Sequence, residues 1–255
     1  MSVVPIDAGD GQAHVKYDRL VAAAKLVPSA VTIVVHPCDE SSLRGVCEAA
    51  AAGIIKPILV GPAGKIKAVA AQFKFDISRF EIVDAEHSEA AAAKAVQLIH
   101  EAKGELLMKG SLHTDELMRS VTAKSTGLRT DRRISHVFAI DVPGYAQTLF
   151  ITDAAINIFP DLDCKRDIVQ NAVDLYAGIG LGVPRVAILS AVETVTSKIP
   201  STCLRGQNHQ TPSLQVRAVG CRERLPSVAL RRHHRTGRGR KGGVQVAFNP
   251  PSLIR

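Results

Sequence analysis

The amino-acid sequence predicts an α/β protein, a three-layer α/β/α arrangement built around a mainly parallel β-sheet. Short runs rich in Val, Ile and Leu alternate with stretches whose apolar residues recur every three or four positions. Gly, Pro or His residues separate many of these segments, and the connections are short. Such regular alternation is typical of a parallel sheet that helices cover on both faces.

The predicted strands are short apolar runs. The run 31–35 contains three Val, one Ile and one Thr and has no polar face, as expected for a strand buried on both sides. The other predicted strands are 57–60, 81–84, 105–108, 135–140, 147–151 and 184–189. Because Pro143-Gly144 is a turn signal, the runs 135–140 and 147–151 can form an antiparallel hairpin.

Helical periodicity fills the intervals between these strands. In the stretch 41–52, Leu43, Val46 and Ala50 lie on one side, and Gly53 follows at a C-capping position. The other predicted helices are 66–73, 88–102, 114–123 and 166–178.

The net charge of +8 is concentrated at one end of the chain. Residues 203–255 hold eleven Lys or Arg residues and one acid, Glu223, whereas acids slightly outnumber bases in 1–202. No sustained apolar period continues after Thr202. We therefore predict that 203–255 is a basic, low-complexity tail without a packed core, either disordered or read out of frame from a GC-rich gene.

Composition indicates a cytoplasmic protein. Five Cys residues at irregular spacings, without a CxxC pair, favour reduced thiols over a disulfide framework or a zinc site. The first eleven residues contain two Asp and no basic cluster, unlike a signal peptide. No stretch approaches the roughly 20 apolar residues of a membrane span.

The clearest candidate site follows the strand 105–108. Lys109, Gly110, Ser111, His113 and Thr114 precede a predicted helix, where backbone N–H groups, hydroxyls and the helix N-terminus favour an anion. Arg119 lies five residues along that helix, and its guanidinium could reach a phosphate as a bidentate donor. An ordinary capped loop with a solvated Arg is the alternative reading. The sequence contains neither a GxGxxG motif after the first strand nor a P-loop, so no nucleotide cofactor is predicted.

Other polar groups carry weaker signals. Thr152 and Asp153 end a predicted strand before Asn157, and Asp153 can either line a pocket or accept backbone N–H groups as a turn former, which we favour. The Arg residues around Asp131 can form an anion-attracting rim or local ion pairs, which we favour. Cys38 lies near a helix start, where a thiol pKa can fall, although an inert buried thiol is the commoner case. No His cluster has metal-ligand spacing, so no metal is predicted; His36, His87 and His136 stand apart.

Four segments carry a resemblance to a known family. They are KGSLHTDELMRSV (109–121), RTDRRISHVFAIDVPGY (129–145), LFITDAAINIFPDLD (149–163) and VDLYAGIGLGVPRVAILSAVETVTSKIPST (173–202). Over about 15–202, the chain resembles the phosphate acetyltransferase and phosphate butyryltransferase family. Members of that family transfer an acyl group between coenzyme A and inorganic phosphate, with coenzyme A as a substrate and without a separate cofactor. The residues leave acetyl and butyryl transfer both open.

The resemblance implies two α/β/α domains, a site in the cleft between them, and a homodimer. It implies that Lys109 to Thr114 and Arg119 line the phosphate and acyl end, with Thr152, Asp153 and Asn157 on the opposing wall. We predict a first domain over 1–143 and an incomplete second domain over 144–202. The family's final segment carries a Ser-Arg pair and an Asp assigned to catalysis, and 203–255 has no match to it, so the catalytic residues stay unassigned and the chain is expected to be inactive.

Two other functions remain open at this point. A cleft without its catalytic segment can serve as a non-catalytic domain that binds or senses acyl-CoA. Alternatively, the eleven basic residues of 203–255 can bind nucleic acid. The single aromatic residue of this tail, Phe248, argues against base stacking.

Overall fold

The structure is a computed structural model that describes residues 15–142, 148–181 and 184–188, together with the strand segments 216–217 and 246–249. Its helices are Val15–Ala24 (α1), Glu40–Ala51 (α2), Ala63–Phe73 (α3), Ser88–His100 (α4), Thr114–Val121 (α5) and Leu162–Gly178 (α6). Its strands are Ala30–Val35 (β1), Ile55–Gly61 (β2), Glu81–Asp84 (β3), Leu106–Lys109 (β4), Phe138–Ile140 (β5), Leu149–Thr152 (β6), Arg185–Ile188 (β7), Val216–Arg217 (β8) and Val246–Asn249 (β9).

The chain divides into two compact units. One contains residues 21–131, and the other contains 1–20 and 132–255. The predicted domain bounds of 1–143, 144–202 and 203–255 stay a prediction. No helix in the described part of the chain has both the length and the apolar character needed to cross a membrane.

A four-stranded parallel sheet forms the centre of the unit 21–131. The strand order is β3-β2-β1-β4, so β1 lies between β2 and β4. In the register, Val35 of β1 is opposite Val60 of β2 and Lys109 of β4. The carboxyl ends of these strands therefore meet at one edge of the sheet, where parallel sheets commonly bind ligands.

Helices cover both faces of this sheet. Ile33 and Val35 pack with buried Ala and Leu side chains of α4 and α5 on one face. On the other face, Val34 packs with buried side chains of α2 and α3, among them Leu43 and Ile66. Since consecutive residues of β1 face opposite layers and are fully buried, its continuous apolar run has a direct structural cause. The predicted three-layer α/β class with a mainly parallel sheet is confirmed.

The second unit contains a mixed sheet of order β5-β6-β9-β7-β8. Strands β5 and β6 pair antiparallel, with Ala139 opposite Phe150, so the predicted hairpin pairing is confirmed; the turn at 143–147 lies outside the described residues. Helix α6 packs against this sheet through Phe150 and Tyr176, whose rings meet edge to face. Burial raises the pKa of the Tyr176 phenol to about 12.

Two short segments of the basic tail belong to this sheet. Strand β9 pairs antiparallel with both β6 and β7, and β8 pairs parallel with β7. These two segments form strands, and the prediction that 203–255 is disordered or read out of frame stays a prediction for the rest of the tail. Strand pairing relies on backbone groups, so a short Val-Ala-Phe run can add to a sheet without any longer periodicity. The rest of 203–255 lies outside the described residues.

Candidate anion site at the ends of β1 and β4

The loop after β4 lies directly against the loop after β1. Gly110 donates its N–H to the carbonyl oxygen of Val35 over 2.8 Å, and Ser111 donates its N–H to that of His36 over 2.9 Å. These bonds continue the pairing of the two strands beyond their last residues. They hold residues 109–114, the predicted anion loop, against residues 36–38.

Gly110 is required at this contact because of its missing side chain. A Cβ atom at this position would lie 2.5 Å from the carbonyl oxygens of both Val35 and His36. Both neighbours are backbone atoms within a sheet and cannot turn aside as a side chain can. Only glycine allows the two loops to approach this closely.

The Ser111 hydroxyl joins the two loops by three contacts. Its Oγ lies 2.8 Å from the His36 carbonyl oxygen and 3.1 Å from His36 Nδ1. It also accepts the backbone N–H of Cys38 over 3.3 Å. Its spacing in the sequence left His36 apart from other polar groups, yet the fold places it beside Ser111, 75 positions along the chain.

His36 has a constrained backbone and a perturbed side chain. Its φ angle of 55° lies in the left-handed region that non-glycine residues seldom occupy. Burial lowers the pKa of the imidazole and the positive charge of Lys65 lowers it further, against the opposing charges of Glu116 and Asp39. The imidazole is therefore mainly neutral at pH 7.

Cys38 is buried, with 7% of its surface exposed. Burial raises the pKa of its thiol, although the charge of Lys65 opposes this change. The favoured interpretation of Cys38 as a buried thiol is confirmed, and the alternative of a lowered pKa near a helix start is wrong. The loss of hydration outweighs any benefit of that position for the thiolate.

The other predicted site residues of the loop face outward, whereas Leu112 is buried in the core of this unit. Lys109 is exposed, and its ammonium donates to the Gly110 carbonyl oxygen over 3.2 Å. His113 and Thr114 are also exposed, and the backbone N–H of His113 donates to the Glu116 carboxylate over 3.3 Å. The loop thus presents the Lys109 ammonium, the hydroxyls of Ser111 and Thr114, and the N-terminal turn of α5 to its surroundings.

Arg119 is engaged in an exposed ion pair. Its guanidinium donates to the Glu89 carboxylate of α4 over 3.0 Å, and the two side chains are 72% and 61% exposed. Its predicted contact with a phosphate stays a prediction.

Arg119→Ala should change the free energy of unfolding by less than about 0.5 kcal/mol, because exposed ion pairs contribute little. Urea unfolding followed by circular dichroism measures this difference, with Arg44→Ala as the matched control, since Arg44 forms an exposed ion pair with Glu40 in the same unit. A loss above about 1.5 kcal/mol would contradict the expectation and assign Arg119 a role in folding.

In the other unit, the predicted residues after β6 form a closed loop. The Thr152 hydroxyl donates to the His136 carbonyl oxygen, and Asp153 is 3% exposed. The Asp153 carboxylate accepts the backbone N–H groups of Ala155, Ile156 and Asn157 over 3.0–3.1 Å, together with the side-chain amide of Asn157. The favoured interpretation of Asp153 as a turn former is confirmed. A substrate contact by these residues stays a prediction.

The protonation of Asp153 follows from this arrangement. Burial acts to raise the pKa of its carboxyl, but hydrogen bonds from the Ile156 and Ala155 N–H groups and from Asn157 outweigh it and hold the pKa below its usual range. The group is therefore a carboxylate at neutral pH, with its acceptor positions used within the loop.

Two of the arginines near Asp131 form ion pairs with α6. Arg132 pairs with Asp174, and Arg133 donates to Asp167 over 2.9 Å. The ion-pair interpretation is confirmed for these two residues, although the partners lie on α6 and not at Asp131. Among the residues that the structure describes, no three His, Cys, Asp or Glu side chains gather in a group that could hold a metal ion.

Comparison with known proteins agrees with the resemblance carried by the four sequence segments. The family model described as phosphate acetyl/butaryl transferase matches residues 90–204, which include the anion loop and the loop 153–157. This part of the chain belongs to the phosphate acetyl/butyryl transferase family.

Curated relatives extend the match toward the N-terminus. A phosphate acetyltransferase of Rhizobium meliloti is 72% identical over 187 residues, covering 73% of this chain and 59% of that protein. A phosphate butyryltransferase of Clostridium beijerinckii is 37% identical over 186 residues, covering 73% of this chain and 62% of that protein. The chain thus spans about three fifths of the length of these relatives.

A solved structure supports the fold assignment. The branched-chain phosphotransacylase from Enterococcus faecalis V583 superposes with a TM-score of 0.54 at 25% identity, covering 68% of this chain and 61% of that one. The family assignment and the fold therefore agree.

Proposed function

We propose that this chain acts in the transfer of an acetyl or butyryl group between coenzyme A and inorganic phosphate. In the forward direction, a phosphate oxygen attacks the thioester carbonyl, the C–S bond breaks, and coenzyme A leaves as a thiolate that takes up a proton. In reverse, the thiolate attacks the acyl phosphate and phosphate leaves. The observation that carries the proposal is the anion loop within the residues that match the family model.

The loop suits the charge changes of this reaction. A phosphate group bears negative charge in both directions, and the ammonium of Lys109 and the N-terminal turn of α5 lie beside Ser111 in the same short segment. Cations and helix N-termini stabilise such anions, and the Ser111 hydroxyl can donate a hydrogen bond to a phosphate oxygen.

The acyl preference follows from the relatives. The phosphate acetyltransferase of Rhizobium meliloti is far more similar to this chain than the phosphate butyryltransferase of Clostridium beijerinckii. We therefore propose acetyl phosphate as the preferred substrate, with about tenfold or greater discrimination against butyryl phosphate. Two extra methylene groups in an apolar pocket commonly produce a difference of this size.

The tail bears on activity because the family match ends at residue 204. We propose that 205–255 does not supply the family's catalytic Ser-Arg pair and Asp. The chain 1–255 should then convert acyl phosphates at a rate close to background. A chimera in which the corresponding region of the Rhizobium meliloti relative replaces 205–255 should be active.

The test measures thioester formation from acetyl or butyryl phosphate and coenzyme A, using purified 1–255 and the chimera. Activity of the chimera that falls at least tenfold with Ser111→Ala supports the proposal. A chimera that binds acetyl-CoA in calorimetry without turnover of either acyl phosphate contradicts it and supports the non-catalytic acyl-CoA-binding alternative. Strong turnover by 1–255 itself supports acyl transfer and overturns the account of the tail.

A further inference from the structure

The hydrogen bonds around Ser111 restrict which nitrogen of His36 carries a proton. A serine hydroxyl has one proton to donate and two lone pairs to accept with. The His36 carbonyl oxygen only accepts, and the Cys38 N–H only donates. If Ser111 donates to the carbonyl oxygen at 2.8 Å, then the contact of 3.1 Å to Nδ1 is a hydrogen bond only when Nδ1 carries the proton.

We propose that His36 is a positioning residue of the phosphate site, whose Nδ1–H holds the Ser111 oxygen so that the Ser111 proton is available to a phosphate oxygen. This inference rests on the proposed function and deepens it. When phosphate binds, the hydroxyl turns from the His36 carbonyl oxygen to the ligand. The oxygen keeps the imidazole Nδ1–H as its main donor, because the Cys38 N–H is shared between the His36 carbonyl oxygen at 2.9 Å and the Ser111 oxygen at 3.3 Å. Donors to this oxygen fix its place and strengthen the Ser111 hydroxyl as a donor.

The backbone holds the imidazole in a defined position. The N–H of His36 donates to the Val60 carbonyl oxygen over 2.7 Å, and the ring lies beside Gly61, where an added Cβ would be 3.6 Å from Cδ2. For a residue other than glycine, the left-handed backbone conformation destabilises the folded state by roughly 1–3 kcal/mol. Glycine would occupy this position with less strain, and a histidine here is expected if its ring has a use.

The charged groups around His36 agree with this role. Lys65 of α3 and Lys109 of the anion loop are the nearby cations, and Asp39 and Glu116 are the nearby acids. The lowered pKa of His36 leaves a neutral ring with one proton, which the proposal places on Nδ1. Protonation of the ring at lower pH adds the Nε2 proton and keeps Nδ1–H, so the bond to Ser111 persists in both states.

The first experiment determines the tautomer directly. Long-range ¹⁵N–¹H NMR spectra of the full chain distinguish imidazole rings that carry Nδ1–H from rings that carry Nε2–H. The ring signals that disappear in the His36→Asn variant are those of His36. A neutral ring protonated at Nδ1 is the expected result. A neutral ring protonated at Nε2 overturns the proposal, since Nδ1 could then only accept a hydrogen bond and could not donate one to the Ser111 oxygen.

The second experiment measures the affinity of inorganic phosphate by ³¹P NMR titration of the full chain. His36→Gly keeps the left-handed backbone and removes the donor, so phosphate affinity should fall about tenfold, the upper value of one hydrogen bond between neutral groups. His36→Asn also fits a left-handed backbone, and its amide N–H can replace Nδ1–H, so its loss should stay within about threefold. A merely structural role would predict no such difference between the two variants.

A double-variant cycle completes this test. If His36 acts through Ser111, then His36→Gly in a Ser111→Ala background should not weaken phosphate binding further. His87→Asn is the matched control, because His87 caps α4 in the same unit through its own Nδ1 and should leave affinity unchanged. Additive losses, equal losses in the Asn and Gly variants, or no phosphate binding by the parent chain at about 50 mM overturn the proposal. A chimera without turnover can still show the expected effects of the His36 and Ser111 variants on phosphate affinity. That result would refute the proposed acyl transfer and support the proposed role of His36.

Discussion

Gly110→Ala should destabilise the unit 21–131 by about 3 kcal/mol or more and abolish phosphate binding at the anion loop. The added methyl group would lie 2.5 Å from two backbone oxygens, those of Val35 and His36. Relief requires the loop after β4 to move away from β1. That movement lengthens the bonds from the Gly110 and Ser111 N–H groups and separates the Ser111 hydroxyl from His36.

Two measurements check this expectation. Urea unfolding gives the loss of stability, and hydrogen exchange should show faster exchange of the Gly110 and Ser111 amides in the variant. Gly64→Ala is the matched control, because an added Cβ there meets no atom within 4 Å and the position lies in the first turn of α3. Its stability should stay the same or rise by up to about 1 kcal/mol, because Ala favours a helix over Gly. Equal stabilities of the two variants would contradict the expectation. They would show that the loop after β4 can move away from the carbonyl oxygens of Val35 and His36 without loss of stability.

Strands buried on both faces were the most predictable part of the fold. Strand β1 has a continuous apolar run because consecutive side chains enter two different cores, so the run 31–35 defined it within one residue. Helix α1 was not predicted, although Tyr17, Leu20, Val21 and Ala24 have helical spacing. Strand β9 was missed because its pairing depends on the backbone edges of β6 and β7, which its own four residues do not reveal.

The anion loop was predictable for a local reason, and its partner was not. Gly, Ser and Thr before a helix form a pattern within six consecutive residues, 109–114, that sequence alone displays. The contact between Ser111 and His36 depends on β4 pairing directly with β1, a strand order that sequence periodicity does not specify. The ion pair of Arg119 with Glu89 likewise depends on how α4 and α5 pack. A useful signal was that His36-Pro37 follows β1 directly and that β4 ends in Lys109 beside Gly110.

Asp153→Asn should destabilise its loop by about 2–4 kcal/mol at pH 7, although the two side chains have nearly the same shape. The carboxylate accepts four N–H groups, two on each oxygen. An amide replaces one of these oxygens by an NH₂ group, which would face N–H donors and leave them without an acceptor in a buried place. Hydrogen exchange of the Ala155, Ile156 and Asn157 amides locates the effect, and urea unfolding gives its size.

The pH dependence separates the charge of Asp153 from its shape. Because the folded-state pKa is depressed, the stability it contributes is fully present above the unfolded value of about 3.9 and is lost as pH falls through the folded value. The difference between the parent chain and Asp153→Asn should therefore be largest above pH 5 and shrink below about pH 4. Asp163→Asn serves as the control, since Asp163 is 68% exposed and pairs loosely with Arg166 at 3.6 Å, and its effect should stay below about 1 kcal/mol. A difference between parent and Asp153→Asn that does not change with pH would mean that the loop depends on the geometry of the side chain and not on its charge.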